Sequence, residues 1–390
     1  MIYAVPPRGW RSASVSDLVS ISHGFAFKGE YFSEYGRDAI TTPGNFLESG
    51  GFRHTGEKQR YYSGDILEGY RLDAGDLIVA MTEQAEGLLG STAWVPGASR
   101  WLHNQRIGRI QAKVDDVSLK YLYYMFNSFE FRKSVTETAA GTKVKHTSPA
   151  KLGAVEILLP PRGEQDRIAE VLSDADEYIE SLECLIAKKE AVKQGLMQQL
   201  LTGRTRLPGF TDPWRETSLG NVLRVCHGKN QRAVEVPSGI YPILATGGRI
   251  GWAKEPLYSR PSVLIGRKGT IDRPQFQATP FWTVDTLFYT EISAAADPRY
   301  LYYLFLTVDW RSMNEASGVP SLTARRIEGV EVQLPGIEEQ CAIREVLDDA
   351  DTEVVGLHTR LDKARNVKIG MTQELLTGRT RLPVQGEATA

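Results

Sequence analysis

At 390 residues the chain is too long for one ordinary hydrophobic core, so two or three domains are expected. Its 42% hydrophobic and 24% charged content fits a soluble globular protein, and it has no run of about 18 apolar residues that would cross a membrane. A net charge of -2 excludes a uniformly basic nucleic-acid binder, so any DNA contact must rest on local patches or on partners that carry positive charge.

The opening, MIYAVPPRGWRSASV, lacks the charged-then-apolar pattern of a secretory leader, which predicts a cytoplasmic protein. Residues 1–159 read as a first globular segment. Trp10-Arg11 opens it, Ser22-His23-Gly24 follows, and Asp76–Ala80 is a β-type apolar run. The aromatic helix Tyr121–Phe126, a polar GTKVKH loop and a strand-like run Val155–Pro160 complete it. Trp94 and Trp101 are expected to be structural, and the aromatic stripe to be core.

Residues 160–208 read as a long helix with its cap. Apolar residues fall at Ile168, Leu172, Ala175, Ile179, Leu182 and Ile186, alternating steps of four and three, the pattern of a coiled-coil seam. Lys189 and Lys193 interrupt it, as lysines do at a seam edge where stems pack and heads stay wet. Pro160-Pro161 stands where proline can open a helix, and Gly203 stands where a left-handed cap closes one, with Arg204 and Arg206 near the negative helix end. The helix is then about 38 residues and about 57 Å long.

Residues 209–334 repeat the first segment weakly but in order. Trp214-Arg215, Cys226-His227-Gly228, the β-run Ser262–Gly266, the aromatic helix Tyr300–Phe305 and the run Val330–Pro335 each have a counterpart above. Trp252 and Trp282 are again expected to be structural. The three cysteines, Cys184, Cys226 and Cys341, suit a reducing compartment, and nothing beside Cys226-His227 completes a zinc set.

Residues 335–384 repeat the long helix closely, and 385–390 form a tail. From Glu164 and from Glu339, about 24 of 45 gap-free positions are identical, and LLTGRTRLP matches completely. The second seam runs through Ile343, Leu347, Ala350, Val354, Leu357 and Leu361 to Met371 and Leu375, interrupted at Lys368. A lone helix with so narrow a stripe needs a partner, and the other copy is the nearest one. The expected fold is α+β: two globular domains, each followed by a long helix, the helices pairing as an antiparallel coiled coil with pseudo-two-fold symmetry. The competing expectation is that each helix packs only on its own globular neighbour.

The strand-Leu-Pro, the Glu-Gln-x-x-Ile that follows, the long helix and the terminal Leu-Leu-Thr-Gly resemble the conserved regions of type I restriction-modification specificity subunits. The openings around His23-Gly24-Phe25-Ala26-Phe27-Lys28 and the aromatic helix before GTKVKH resemble that family's target-recognition domains. The resemblance covers essentially the whole chain. It implies a non-catalytic subunit whose two domains each read one half of a split, asymmetric site in double-stranded DNA. It further implies that the paired helices set the gap and dock two methyltransferase subunits, and that two restriction-translocase subunits can join. S-adenosylmethionine, ATP and magnesium would be used by those partners, with no cofactor on this chain. A ruler of about 57 Å is an upper limit of roughly one and a half DNA turns.

No Asn/Asp-Pro-Pro-aromatic loop is present, and Gly266–Thr270 does not make a P-loop. Candidate DNA contacts are loop groups. Thr142, Lys143, Lys145, His146 and Thr147 offer ammonium, imidazole and hydroxyl groups on a glycine-bearing loop. Ser321, Arg325 and Arg326 are their counterparts, and Lys28, Arg267 and Lys268 follow glycine-rich turns. For the helices, Ile168, Leu172, Ile179, Leu182, Ile343, Leu347, Val354, Leu357 and Leu361 are the candidate seam and docking residues. The alternative function is a protein-only scaffold, two coiled-coil arms carrying domains that bind proteins.

Overall fold

The structure is a computed structural model that describes residues 6–83, 87–97, 99–141 and 144–383. The candidates Thr142 and Lys143, and the tail 385–390, lie outside the described residues. The chain divides into two compact units, Met1–Ser181 with Leu361–Ala390, and Leu182–Arg360. The architecture is α+β, with long helices at Arg162–Leu200 and Ile337–Leu376. Each unit contains the start of one long helix and the end of the other, because the helices pair antiparallel.

The first unit is built on two sheets and a short strand pair. Leu77–Ala80, the strand within the β-type run read at Asp76–Ala80, is buried along its whole length in a sheet ordered Val19–His23, Ile107–Ala112, Leu77–Ala80, Thr92–Trp94. A second, mixed sheet has Asp38–Ile40 parallel to Arg100–Leu102. The opening strand Arg11–Ser14 pairs with the closing strand Glu156–Leu159, with Arg11 opposite Leu159. First and last strands therefore leave the domain together, and Trp10 meets the first turns of the long helix.

The second unit repeats this plan. Ser262–Gly266 is buried in a sheet ordered Leu223–Cys226, Leu287–Ile292, Ser262–Gly266, Gln275–Gln277. Tyr241–Ala245 runs parallel to Trp282–Thr283 in the mixed sheet, and Arg215–Ser218 pairs with Glu331–Leu334, Arg215 opposite Leu334. The plan is the same, and the mixed sheet, five strands against four, is where the units depart.

Aromatic helices join sheets to seam. In Leu119–Phe126, Tyr121, Leu122 and Phe126 are fully buried and share a core with Ile168, Leu172, Leu375 and Leu376. In Pro298–Thr307, Tyr300, Leu301 and Phe305 share a core with Met197, Leu200, Ile343 and Leu347. Each core contains leucines from the end of one long helix against isoleucine and leucine from the start of the other. Each helix therefore packs on its partner as well as on its globular neighbour, so the expectation of neighbour-only packing fails. Of the nine seam candidates, Ile168, Leu172, Leu182, Ile343, Leu347, Leu357 and Leu361 are buried, while the equivalent pair Ile179 and Val354 is half-buried.

The lysines that break the stripe do more than keep wet heads. In the first unit Lys368 pairs with Asp176, which also accepts from the Tyr124 hydroxyl at 3.0 Å. In the second, Lys193 pairs with Asp351, which lies 2.7 Å from the Tyr303 hydroxyl, and Lys189 pairs with Glu353 at 2.6 Å. A polar pair at a seam position fixes register, since a slip of one turn would strand both charges.

The Glu-Gln dipeptide at each helix start has a structural task. Gln165 Nε2 donates to the carbonyls of Pro160 at 2.8 Å and Asp116 at 2.9 Å, and its Oε1 accepts from Ser118 N at 2.8 Å. Gln340 repeats this with Pro335, Ala295 and Asp297. Glu164, 1% exposed, accepts from Trp10 Nε1 at 2.9 Å and from Arg381 through two nitrogens at 2.6 and 2.7 Å. Glu339 accepts from Trp214 Nε1 at 3.1 Å and from Arg206 at 2.6 and 2.8 Å. Each guanidinium also lies against its tryptophan, 5.5 Å for Arg381 on Trp10 and 5.7 Å for Arg206 on Trp214.

These latches are crossed: the arginine after the second helix closes on the glutamate that starts the first, and the reverse. Gly203 and Gly378 make the turn possible, with φ of +68° and +70°, where a side chain would be strained. A Cβ on Gly378 would also stand 2.6 Å from Pro7. The second arginine of each LLTGRTRLP, Arg206 or Arg381, is thus a latch residue, while Arg379 lies 3.8 Å from Glu374 of its own helix.

Candidate nucleic-acid interface

In both units the loop that leaves the central buried strand pairs with the loop that leads back to the closing strand. In the first unit Thr82 and His146 form an antiparallel bridge. Glu83 N donates to Lys145 O at 2.9 Å, Thr147 N donates to Met81 O at 3.0 Å, and Thr82 Oγ1 meets His146 Nδ1 at 3.1 Å. In the second unit Lys268 and Ser321 form the corresponding bridge. Gly269 N donates to Pro320 O at 2.9 Å, and Leu322 N to Arg267 O at 3.0 Å. A common frame therefore holds Lys145 and His146 in one unit, and Arg267, Lys268 and Ser321 in the other.

What the side chains offer differs. In the first unit His146 is exposed and Lys145 is 3.9 Å from Glu83, a loose pair that leaves the ammonium available. The Thr147 hydroxyl is shielded from solvent and has no hydrogen-bond partner among the described residues, so it cannot reach a ligand without a shift of the loop. In the second unit a cavity of about 530 Å³ beside the loop pair is lined by Gly269, Asp272, Arg273, Arg311, Asn314 and Pro320. Arg311 donates to Asp272 at 2.6 Å and remains 77% exposed. Asn314 accepts from Ser321 N at 2.9 Å through its Oδ1 and so shapes the loop.

Arg325 and Arg326 stand on the short helix Ala324–Glu328, capped by Thr323. They line a neighbouring cavity of about 580 Å³, and Arg326 lies 3.6 Å from Glu315. Lys28 belongs to a different place: it caps the single turn Gly29–Tyr31 that leads to the mixed sheet, and its nitrogen is 3.9 Å from Glu30. The structure thus brings Arg267, Lys268 and Ser321 together, and Lys145 and His146 together, and shows no contact between Lys28 and either set among the described residues.

The sequence reading missed Thr82 and Glu83, which carry no motif, and missed Arg273 and Arg311. The last two had a signal, arginines flanking a glycine-rich loop and an aromatic helix, but their convergence needs the fold.

The His-Gly openings serve packing. A Cβ on Gly24 would lie 2.2 Å from His103 O, and one on Gly228 would lie 2.0 Å from Val284 O. Only glycine lets the strands come so close, with Phe25 N donating to His103 O at 2.7 Å and Lys229 N to Thr283 O at 2.8 Å. Next to this contact the His103 ring is 2% exposed and bonded to Ile107 O at 2.9 Å. Burial pushes its pKa below the ordinary imidazole value, so it stays neutral and structural.

Residues 7–191 and 211–364 match the family described as type I restriction modification DNA specificity domain. The chain is 26% identical over 257 residues to the type I restriction enzyme EcoBI specificity subunit of Escherichia coli, spanning 59% of this chain and 51% of that protein. It is also 26% identical over 208 residues to the type I restriction enzyme MjaVIII specificity subunit of Methanocaldococcus jannaschii, 52% of this chain and 47% of that one. The chain thus spans about half the length of these curated relatives. The fold is similar to the crystal structure of the type I restriction-modification system S subunit from M. genitalium, with a TM-score of 0.64, 17% identity, and coverage of 94% of this chain and 96% of that one. With both domains and most of both helices inside the matched segments, the chain belongs to the type I restriction modification DNA specificity domain family.

Proposed function

We propose that the chain is the DNA sequence-specificity subunit of a type I restriction-modification complex, a non-catalytic adaptor. Each globular domain reads one half of a bipartite, asymmetric site in double-stranded DNA. The long helices set the spacer and dock two methyltransferase subunits, and restriction-translocase subunits can join the assembly in the cytoplasm. S-adenosylmethionine, ATP and magnesium belong to those partners.

One observation carries the reading: the same loop-pair frame occurs in both units, with Thr82 bridged to His146 in one and Lys268 to Ser321 in the other. Equal frames with unequal side chains suit two different half-sites. The chemistry suits them too, since exposed Lys and Arg neutralise phosphates and a guanidinium can hold guanine O6 and N7 together. The protein-only scaffold finds no comparable support.

Methylation profiling of the source genome tests the proposal. The expected result is one motif of two unlike halves with a fixed gap, and a palindrome or an unbroken motif refutes it. In the assembled complex, Arg267→Ala with Lys268→Ala should weaken DNA binding and lower the salt slope by about 0.9 per lost phosphate contact.

A further inference from the structure

The internal repeat gives an occupied and an empty version of one site. In the second unit Arg299, on the aromatic helix, lies over three rings: Phe276 at 4.8 Å, Tyr302 at 5.2 Å and Tyr303 at 5.3 Å. Its guanidinium is fixed by Asp348 at 2.8 Å and Asp351 at 3.5 Å, and Arg344 packs beside it within 3.7 Å of Asp348. Arene faces, carboxylates and guanidinium fill the site, with the Arg299 side chain 30% exposed.

The first unit keeps the rings and lacks the plug. Trp94 opposes Leu77 in the strand register that Phe276 and Val263 occupy in the other unit. Trp94 and Tyr123 are 5.9 Å apart, as Phe276 and Tyr302 are 5.8 Å apart. At the positions of Arg344, Asp348 and Arg299 stand Ala169, Ser173 and Lys120, and Lys120 is exposed. The result is an open cavity of about 410 Å³ walled by Trp94, Tyr123 and Tyr124, which shares the lining residues Lys120, Ala169 and Ser173 with a neighbouring groove of about 1330 Å³. On the groove wall Asp174 and Glu177 have no ion-pair partner among the described residues.

We propose that this cavity receives an arginine side chain of a methyltransferase subunit, its guanidinium over Trp94 and Tyr123 and facing Asp174 and Glu177. The occupant is argued from the second unit, where the same rings hold an arginine, and from the unspent carboxylates of the first. The inference rests on the reading that methyltransferase subunits dock on these helices. It makes the two docking surfaces unequal: one accepts the arginine, and the other is already closed by Arg299.

The test is titration of the full-length chain with the methyltransferase subunit, followed by calorimetry and native mass measurement. Lys120→Arg with Ser173→Asp copies the second unit into the first and should fill the cavity from within. One methyltransferase equivalent should then bind about tenfold more weakly while the other is unchanged. Trp94→Phe, which copies Phe276, should retain wild-type binding, and Trp94→Ser should lose one equivalent with the circular dichroism spectrum unchanged. Two undisturbed equivalents in the filled variant and in Trp94→Ser overturn the inference and leave the function standing. A wild-type chain that binds no methyltransferase overturns both.

Discussion

Removing Arg381 isolates the crossed latch. Glu164 is 1% exposed, and its carboxylate is held by Trp10 and by two nitrogens of Arg381. Arg381→Ala leaves that carboxylate with the indole N–H alone. Breaking a fully buried pair costs about 3–5 kcal/mol, because the remaining charge is stranded. The Arg381 side chain is 40% exposed, so water reaches the vacated position and screens part of the loss. A cost of about 2–3 kcal/mol remains. For a unit of about 200 residues this lowers the melting midpoint by about 4–12 °C. The assay is calorimetry of the wild type, Arg381→Ala, Glu164→Gln and the double variant. The double variant should be less destabilised than the sum of the singles by at least about 1 kcal/mol, since the charge to be stranded is gone. A midpoint within 1 °C of wild type for Arg381→Ala, or strict additivity in the cycle, refutes the latch.

Gln165→Leu should cost about 3 kcal/mol by leaving the Ser118 N–H and the Pro160 carbonyl unpaired, with Gln340→Leu doing the same to the second unit; urea midpoints check both. Lys368→Met should cost only about 1 kcal/mol because its pair with Asp176 is partly wet, and the charge swap Lys368→Asp with Asp176→Lys should recover most of it in the same assay. The buried His103 gives a pH dependence. Its folded pKa is lowered, chiefly by burial, so the unfolded chain binds the proton more readily. That contribution to stability is complete above the ordinary value near 6.5 and is lost as pH falls through the lowered folded value. Melting curves between pH 7 and pH 5 should show the decline, and His103→Gln should flatten it.

The helices were legible because a two-in-seven stripe between a proline and a glycine has few other readings. Buried strands such as Leu77–Ala80 were legible for a similar reason, as short apolar runs bounded by turns. The Glu-Gln pair was recognisable as a signature, but its task was not. Arg381 lies 217 residues from Glu164, and no local pattern links them. At the candidate interface the basic loops stood out by charge, whereas Thr82, which carries the partner loop, has neither charge nor motif. The Arg299 plug was hidden differently. An arginine in an aromatic helix looks like a surface residue until Ala169 and Ser173 are set against Arg344 and Asp348.

The crossed latches also bear on how the two halves of the gene can drift. A substitution at Arg206 is felt at Glu339, and one at Arg381 is felt at Glu164, so a change at either closing arginine strands a carboxylate encoded in the other half. The domains between are tied to the other half by apolar packing rather than by charge, the first on Leu375 and Leu376 and the second on Met197 and Leu200. Their opening segments meet the latch through the indoles of Trp10 and Trp214 and through the backbone carbonyls of Arg8 and Asp212, so a replacement domain that keeps the tryptophan can close on an unaltered lock.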